Sequence, residues 1–254
     1  MIEIGNISKV FGDRKILSDV SMYLETGKVN MVIGQSGAGK SVLLKCLVGL
    51  LETDAGEVWY DGRNFTEMNY EQKKALRREV GMLFQGGALF DSMTVEENVA
   101  FPLEMFTKMS KEERTERANF CLKRVNLPAS NKLYPDEISG GMKKRVAIAR
   151  AIAMNPKYLF CDEPNSGLDP QTSIVIDNLI REITLEYNMT TVVISHDMNS
   201  VMEISDNIFF VFNGQKWWEG NRNDLLKTDN KELCDFVFAS TFMKEFKSSS
   251  QSKR

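Results

Sequence analysis

Histidine is almost missing from this 254-residue chain, where His196 is the only one, and cysteine is scarce, with Cys46, Cys121, Cys161 and Cys234. The cysteines lie far apart, without the paired spacing of a zinc site or a disulfide framework, and fit a reducing compartment. No apolar run approaches the roughly 20 residues that span a bilayer, and the N-terminus has no basic flank followed by an apolar core. The expectation is a cytoplasmic protein unless a partner holds it at a membrane. Neither sign of charge is in excess: 32 Lys+Arg against 35 Asp+Glu leave a net −3. No global field therefore draws in nucleic acid or an anionic membrane. What is present, 43% hydrophobic and 26% charged residues, makes a globular protein with a full core, as one large domain or two small ones.

Within that ordinary composition one stretch stands out. Gly34-Gln35-Ser36-Gly37-Ala38-Gly39-Lys40-Ser41 matches the phosphate-loop pattern GxxxxGK[ST] without a gap. An apolar run, Val29 to Ile33, precedes it and a helix-like segment, Ser41 to Leu50, follows. Strand, loop and helix are the context the chemistry requires. Glycines let backbone N–H groups turn toward a phosphate, and the helix dipole adds positive potential there. Lys40 neutralises phosphate charge and the Ser41 hydroxyl is placed to ligate Mg²⁺. The plain alternative, a glycine-rich turn with a chance Lys-Ser, leaves the flanking pattern unexplained.

Around this loop the pattern predicts an α/β chain. Residues 1 to 33 alternate apolar and polar and read as antiparallel strands turning at Phe11-Gly12-Asp13 and at Glu25-Thr26-Gly27-Lys28. Gly56 to Gly62 is a further β piece, and Val80 to Phe84 a short buried-type strand ending at Gln85. Thr94 to Phe106, Lys111 to Val125 and Gly140 to Met154 are helical in pattern and form an insert, about 87–155. Then come a strand (Tyr158 to Cys161), a helix (Gln171 to Tyr187), a strand (Thr191 to Ser195) and a hairpin turning at Asn213-Gly214. Such alternation means a parallel sheet flanked by helices. On the Gln171 helix, Ile176, Leu179, Ile180 and Ile183 form a core-facing stripe. Of Trp217 and Trp218, on opposite faces of a strand, one is expected in the core and one at the surface. Residues 1–222 read as one domain and 223–254 as a helical extension. That extension carries Phe238, Phe242 and Phe246 at i+4 spacing and ends in a basic Ser/Lys tail that reads as disordered.

Tyr158-Leu159-Phe160-Cys161-Asp162-Glu163 is an apolar strand ending in two carboxylates. That form suits Asp162 holding Mg²⁺ through water and Glu163 polarising an attacking water, although two acids at a strand end are also ordinary solvated charge. Ile138-Ser139-Gly140-Gly141-Met142 precedes a helix that opens with Lys143, Lys144 and Arg145. By itself Ser-Gly-Gly is a helix cap. With these motifs in this order, the chain resembles the nucleotide-binding subunits of ABC transporters, whose signature is usually written LSGGQ.

The resemblance covers nearly the whole chain and implies an ABC ATPase fold, a P-loop NTPase (RecA-like) core with an antiparallel β subdomain and a helical insert. It implies Mg²⁺-dependent ATP hydrolysis by a homodimer. Gly34 through Val42 would bind ATP, with Phe11 at the place of the aromatic that stacks on adenine. Gln85 matches the Q-loop glutamine, Ser166-Gly167-Leu168-Asp169 the D-loop and His196 the switch histidine. Catalysis would fall to Glu163, His196 and Gln85, and Mg²⁺ to Ser41, Gln85 and Asp162. Ser139, Gly140 and Gly141 would reach the nucleotide held by the opposite subunit, and Asp169 would bind nucleotide as part of the D-loop. Ile138 replaces the usual Leu, and Met142 replaces the usual Gln and removes a polar side chain near ribose.

Met142 makes the chain similar to the Mla-type branch, ATPases of phospholipid transporters that work with MCE proteins. Met82 to Phe90, Met93-Thr94-Val95, Asn98-Val99-Ala100 and Phe101-Pro102-Leu103 agree with it. The branch implies an MlaE-like permease, an MCE-type substrate-binding protein, no nucleic-acid partner and a peripheral place on the cytoplasmic face of the inner membrane. The nearest rival is the ATPase of an ABC importer or exporter for another substrate, such as an amino acid or a lipoprotein. A non-transport ABC protein acting on DNA or ribosomes would carry a coiled-coil insert, zinc cysteines or a tandem second cassette. A P-loop small-molecule kinase would leave the signature, Gln85 and His196 without a role.

Overall fold

The computed structural model describes residues 1–239 and forms two compact units. One is Met1–Met68 with the described residues from Val193 onward, and the other is Asn69–Val192.

The first unit opens with β1 (Ile2–Phe11) and β2 (Arg14–Leu24), an antiparallel hairpin turning at Gly12-Asp13 as the alternation predicts. Ile2, Ile4 and Ile7 face Leu17, Val20, Met22 and Leu24 in the core. Bulges interrupt the register between Ile4 and Ile7, where Asn6 is left-handed, so the alternation is not strict. The Glu25–Lys28 turn does not continue the hairpin, contrary to the sequence expectation. β3 (Val29–Ile33) leaves this sheet, and all five of its residues are buried. A strand covered on both faces belongs in a layered parallel sheet. Asn30, fully buried within it, is satisfied by bonds to Glu25 N, Glu25 O and Lys28 O. Then follow α1 (Lys40–Leu47), β4 (Ala55–Tyr60) and β5 (Arg63–Asn64), and the antiparallel sheet has the order β2-β1-β4-β5.

The second unit begins with α2 (Tyr70–Arg77), which the apolar pattern does not reveal because Leu76 is its only buried residue. An Asn69/Gln72 capping box starts it. β6 (Val80–Leu83) pairs in parallel with β7 (Tyr158–Asp162), and between them lie α3 (Val95–Phe106), α4 (Lys111–Arg124) and α5 (Gly140–Ile152). Capping boxes Thr94/Glu97 and Ser110/Glu113 fix the starts of α3 and α4. In α6 (Pro170–Glu186) the stripe Ile176, Leu179, Ile180 and Ile183 is buried as predicted. β8 (Thr190–Ser195) crosses the division between the units.

The first unit resumes with α7 (Met198–Ile204), β9 (Asn207–Phe212), β10 (Gln215–Gly220), α8 (Arg222–Lys227) and α9 (Lys231–Val237). β9 lies parallel to β3, with Asn30 opposite Asn207 and Ile33 opposite Phe210. The six-stranded sheet has the order β10-β9-β3-β8-β7-β6. Asn213 and Gly214 (φ 47° and 75°) make the β9–β10 turn as expected. Trp217 and Trp218 do not divide between core and surface. Exposure alternates along the whole of β10 in spite of the bulge between Lys216 and Trp218, with Trp217 exposed and Trp218 on the other face but only half-buried. Trp217 Nε1 donates to Glu232 at 3.2 Å and ties α9 to the hairpin. Phe238 is buried at the end of α9, while Phe242, Phe246 and the basic tail lie outside the described residues.

Candidate functional site

In the first unit, buried β3 delivers the chain at Gly34, with φ 152°. A Cβ there would stand 2.3 Å from Val211 O on β9, so only glycine lets the loop leave the strand so close to its neighbour. Gln35, Ser36, Gly37 and Ser41 are exposed, while Ala38, Gly39 and Lys40 are buried and Val42 is half-buried. No side chain caps α1, whose N-cap is Gly39, and no acidic residue stands in its first turn. That end of the helix suits an anion. Lys40 curls back over its own loop, Nζ donating to Gly34 O at 2.7 Å and Gln35 O at 3.0 Å.

Phe11 closes β1 with its ring 48% exposed, enough to offer a face for stacking. Lys9 Nζ lies 5.5 Å from the ring centroid and also bonds Asp54 Oδ1 at 2.9 Å. Lys9 and the Val10 N–H hold the Asp54 carboxyl below the usual carboxylate range. His196 is exposed directly after β8, and Asp197 N donates to Ser195 Oγ at 3.0 Å to form the turn that carries it.

In the second unit, β7 ends at Asp162, which is half-buried, as is Glu163. Glu163 has φ 49°, a left-handed conformation that disfavours a side-chain-bearing residue by about 1–2 kcal/mol. Strain of this kind persists where the surroundings over-determine it, and it concentrates at working sites. Here Lys144 Nζ donates to Glu163 O at 3.5 Å and to Gln85 O, so one ammonium spans the backbones of both residues. Burial pushes Lys144 below the ordinary lysine range, with Cys161, Glu163 and Asp162 pulling the other way. Gln85 Nε2 donates to Ser166 Oγ at 3.4 Å, which places the predicted Q-loop glutamine against the predicted D-loop.

The signature residues meet the D-loop as well. Ser139 caps α5 by accepting from Met142 N at 3.3 Å, and Asp169 caps α6 by accepting from Thr172 N at 3.0 Å. Bonds from the Thr172 hydroxyl and backbone N–H hold the Asp169 carboxyl below its usual range. A Cβ on Gly141 would stand 2.5 Å from Thr172 Cγ2, and one on Gly140 3.7 Å from Leu168. The starts of α5 and α6 are thus packed together, with Ser139, Gly140 and Asp169 exposed and Gly141 buried.

Sequence reasoning missed the roles of Lys144 and Arg150. Both lie on α5, and Arg150 donates to Gly87 O at 2.6 Å and Ala88 O at 2.7 Å. In the sequence they are two of several cations on this helix, beside Lys143 and Arg145, and nothing local sets them apart.

The sequence model of the ABC transporter family matches residues 17–166. The methionine import ATP-binding protein MetN of Clostridium tetani is 41% identical over 237 residues, spanning 93% of this chain and 74% of that protein. The probable ribonucleotide transport ATP-binding protein mkl of Mycobacterium leprae is 37% identical over 236 residues, spanning 93% and 68%. Among solved structures, the dimeric post-hydrolysis cassette MJ0796 bound to ADP and Pi has a TM-score of 0.79 and 32% identity, spanning 87% of this chain and 98% of that one. The α/β architecture with its two sheets is that of these cassettes. The matched span carries the phosphate loop, the glutamine, the signature and the carboxylates in the order in which the fold arranges them. The chain belongs to the ABC transporter family and is an ATP-hydrolysing, nucleotide-binding subunit.

Proposed function

We propose that this subunit works as a homodimer powering phospholipid transport, docked on an MlaE-like permease with an MCE-type protein at the cytoplasmic face of the inner membrane. Phe11 stacks on adenine, and Gly34, Gln35, Ser36, Gly37, Ala38, Gly39, Lys40, Ser41 and Val42 wrap the phosphates. Ser41, Gln85 and Asp162 would hold Mg²⁺. A hydroxyl, an amide oxygen and a carboxylate suit an ion that keeps waters and takes its other ligands from phosphate. Once bound, Mg²⁺ neutralises charge on the β- and γ-phosphates. Glu163 takes the proton of the attacking water, with His196 as the switch histidine. Ser139, Gly140, Gly141 and Asp169 complete the site of the opposite subunit. The observation that carries the catalytic reading is Glu163 itself: a half-buried carboxylate at a strand end, left-handed, with its carbonyl held by a buried cation.

The docking surface is the set of exposed apolar side chains on either side of Gln85 and along α3. Phe84 and Phe90 are about two-fifths exposed, Phe90 packs on Phe101 at 4.7 Å between centroids, and Met105 is 59% exposed. Such a patch is what a membrane-bound partner would cover. Among the described residues no helix is long and apolar enough to cross a membrane, so force must pass through a contact of this kind. Solute import is the second reading, favoured by the 41% identity to a methionine import protein.

Reconstitution with the co-purifying permease separates the two. ATP-driven transfer of labelled phospholipid between vesicles is expected, without uptake of methionine. Phe90→Glu puts a charge into this patch at an exposed position. That variant should hydrolyse ATP alone but fail to drive transfer. Methionine uptake without lipid transfer would overturn the phospholipid reading, and normal transfer by Phe90→Glu would overturn the docking surface.

A further inference from the structure

The loop that follows Gln85 is fastened to α5 by two cations, of which the ATPase reading uses only the contact of Lys144 with the Glu163 carbonyl. Gly87 and Ala88 are consecutive left-handed residues (φ 76° and 48°), and both of their carbonyls accept from the one Arg150 guanidinium, at 2.6 and 2.7 Å. Lys144, only 6% exposed, takes the Gln85 carbonyl just before them and reaches Glu163 O at 3.5 Å. Removing cations from water is unfavourable unless fixed dipoles replace the lost hydration. Here those dipoles are loop carbonyls. Between the two cations lie Arg145, which is half-buried and donates to Val125 O and Asn126 O, and the buried apolar run Val146 to Ala149, so of the three cations only Lys144 and Arg150 reach the loop after Gln85. Ala88 sharpens the case, because a left-handed alanine resists the very conformation that Arg150 holds.

We propose that Lys144 and Arg150 are positioning residues. They lock Gln85–Ala88 onto the helix that begins at the signature, so that the Gln85 carboxamide is held in register with Ser166 and the Glu163 backbone. This rests on the role given to Gln85 in ATP hydrolysis. Arg150→Lys keeps the charge but cannot serve two carbonyls in a fork. Lys144→Met keeps the length and removes the donors.

The test measures ATP turnover against ATP concentration for the parent, Gln85→Ala, Arg150→Lys, Lys144→Met and Arg150→Lys with Ala88→Gly. It adds amide hydrogen exchange at Gly87 and Phe90 in the nucleotide-free chain. Arg150→Lys and Lys144→Met should each lower kcat on the order of tenfold at unchanged KM, because a misplaced group weakens chemistry more than binding. Exchange should quicken at both amides in Arg150→Lys. Ala88→Gly should recover most of the lost kcat, since glycine adopts the left-handed form unaided. A merely structural arginine would lower Tm and would not be rescued by a glycine in the loop. If Arg150→Lys does not fold, Lys144→Met decides by the same readings. Turnover within about twofold of the parent in variants of parental Tm, while Gln85→Ala abolishes it, overturns the clamp. Unchanged exchange also overturns it. Parental turnover in Gln85→Ala would instead remove the role of Gln85, and the clamp proposal with it.

Discussion

At the scale of single residues, the most informative are those whose backbone or protonation the fold pushes off its ordinary value. Glu163 is left-handed beside a buried lysine, and its proposed work is general base. Glu163→Gln keeps shape and hydrogen-bonding reach but loses the charge, so turnover should fall by about 100-fold or more while ATP affinity persists. Single-turnover hydrolysis beside an ATP titration checks this, and a variant that still turns over near the parental rate refutes the assignment. Asp169 gives a pH prediction. Its folded carboxyl lies below the usual value through Thr172, so the carboxylate cap contributes stability above about pH 3.9 and loses it as pH falls through the lowered folded value. The Tm gap between parent and Asp169→Ala should therefore be widest near neutrality and narrow below about pH 4. A gap that does not change with pH would mean that Asp169 does not cap as an anion.

Among the elements, α5 is the one on which most of the second unit's site depends. Its first turn packs so tightly on the start of α6 that Gly141 has no room for a methyl, Thr172 Cγ2 being 2.5 Å from where it would stand. Threonine is stiff at χ1 and cannot swing aside without giving up its bond to Asp169. Gly141→Ala should destabilise by about 1–3 kcal/mol, the range for overpacking. Thr172→Ser removes the clashing methyl and keeps the hydroxyl, so the double variant should regain most of that loss. Urea midpoints of the four proteins form the cycle, and purely additive changes would place the strain elsewhere. The elements themselves were legible to different degrees. α3 and α4 announce themselves through Thr94/Glu97 and Ser110/Glu113 followed by apolar periodicity. α2 does not, since Glu71, Gln72, Lys73 and Lys74 give it no apolar stripe and a capping box does the work of starting it.

At the scale of the whole molecule, the proposal is that one chain holds only half of each ATP site. Lys40 would serve the nucleotide of its own chain, and Ser139, Gly140 and Gly141 that of the opposite one. Lys40→Ala chains mixed with Ser139→Arg chains should then form dimers with one site free of both lesions and the other carrying both. Turnover in the mixture should exceed that of either variant alone by an amount that grows with the fraction of mixed dimer. A mixture no more active than its parts would place the complete site within one chain.

What the sequence determined by itself is the chemistry that depends on local spacing. Gly34 to Ser41, the carboxylates Asp162 and Glu163, the starts of α3 and α4 and the Asn213-Gly214 turn each need only a few consecutive residues, and each lies where the pattern puts it. What the tertiary structure decided is what depends on partners distant in the chain. β3 leaves the β1–β2 hairpin for the other sheet, where a strand buried on both faces fits, and its partner β9 lies 177 residues on by the register Asn30 to Asn207. Trp217 and Trp218 take opposite faces as alternation requires, but Trp218 is only half-buried, because how deep a ring sits depends on what packs over the hairpin. Lys144 and Arg150 read as ordinary helical cations, and only the fold supplies the carbonyls of Gln85, Gly87 and Ala88, because a hydrogen bond between distant residues leaves no periodicity behind.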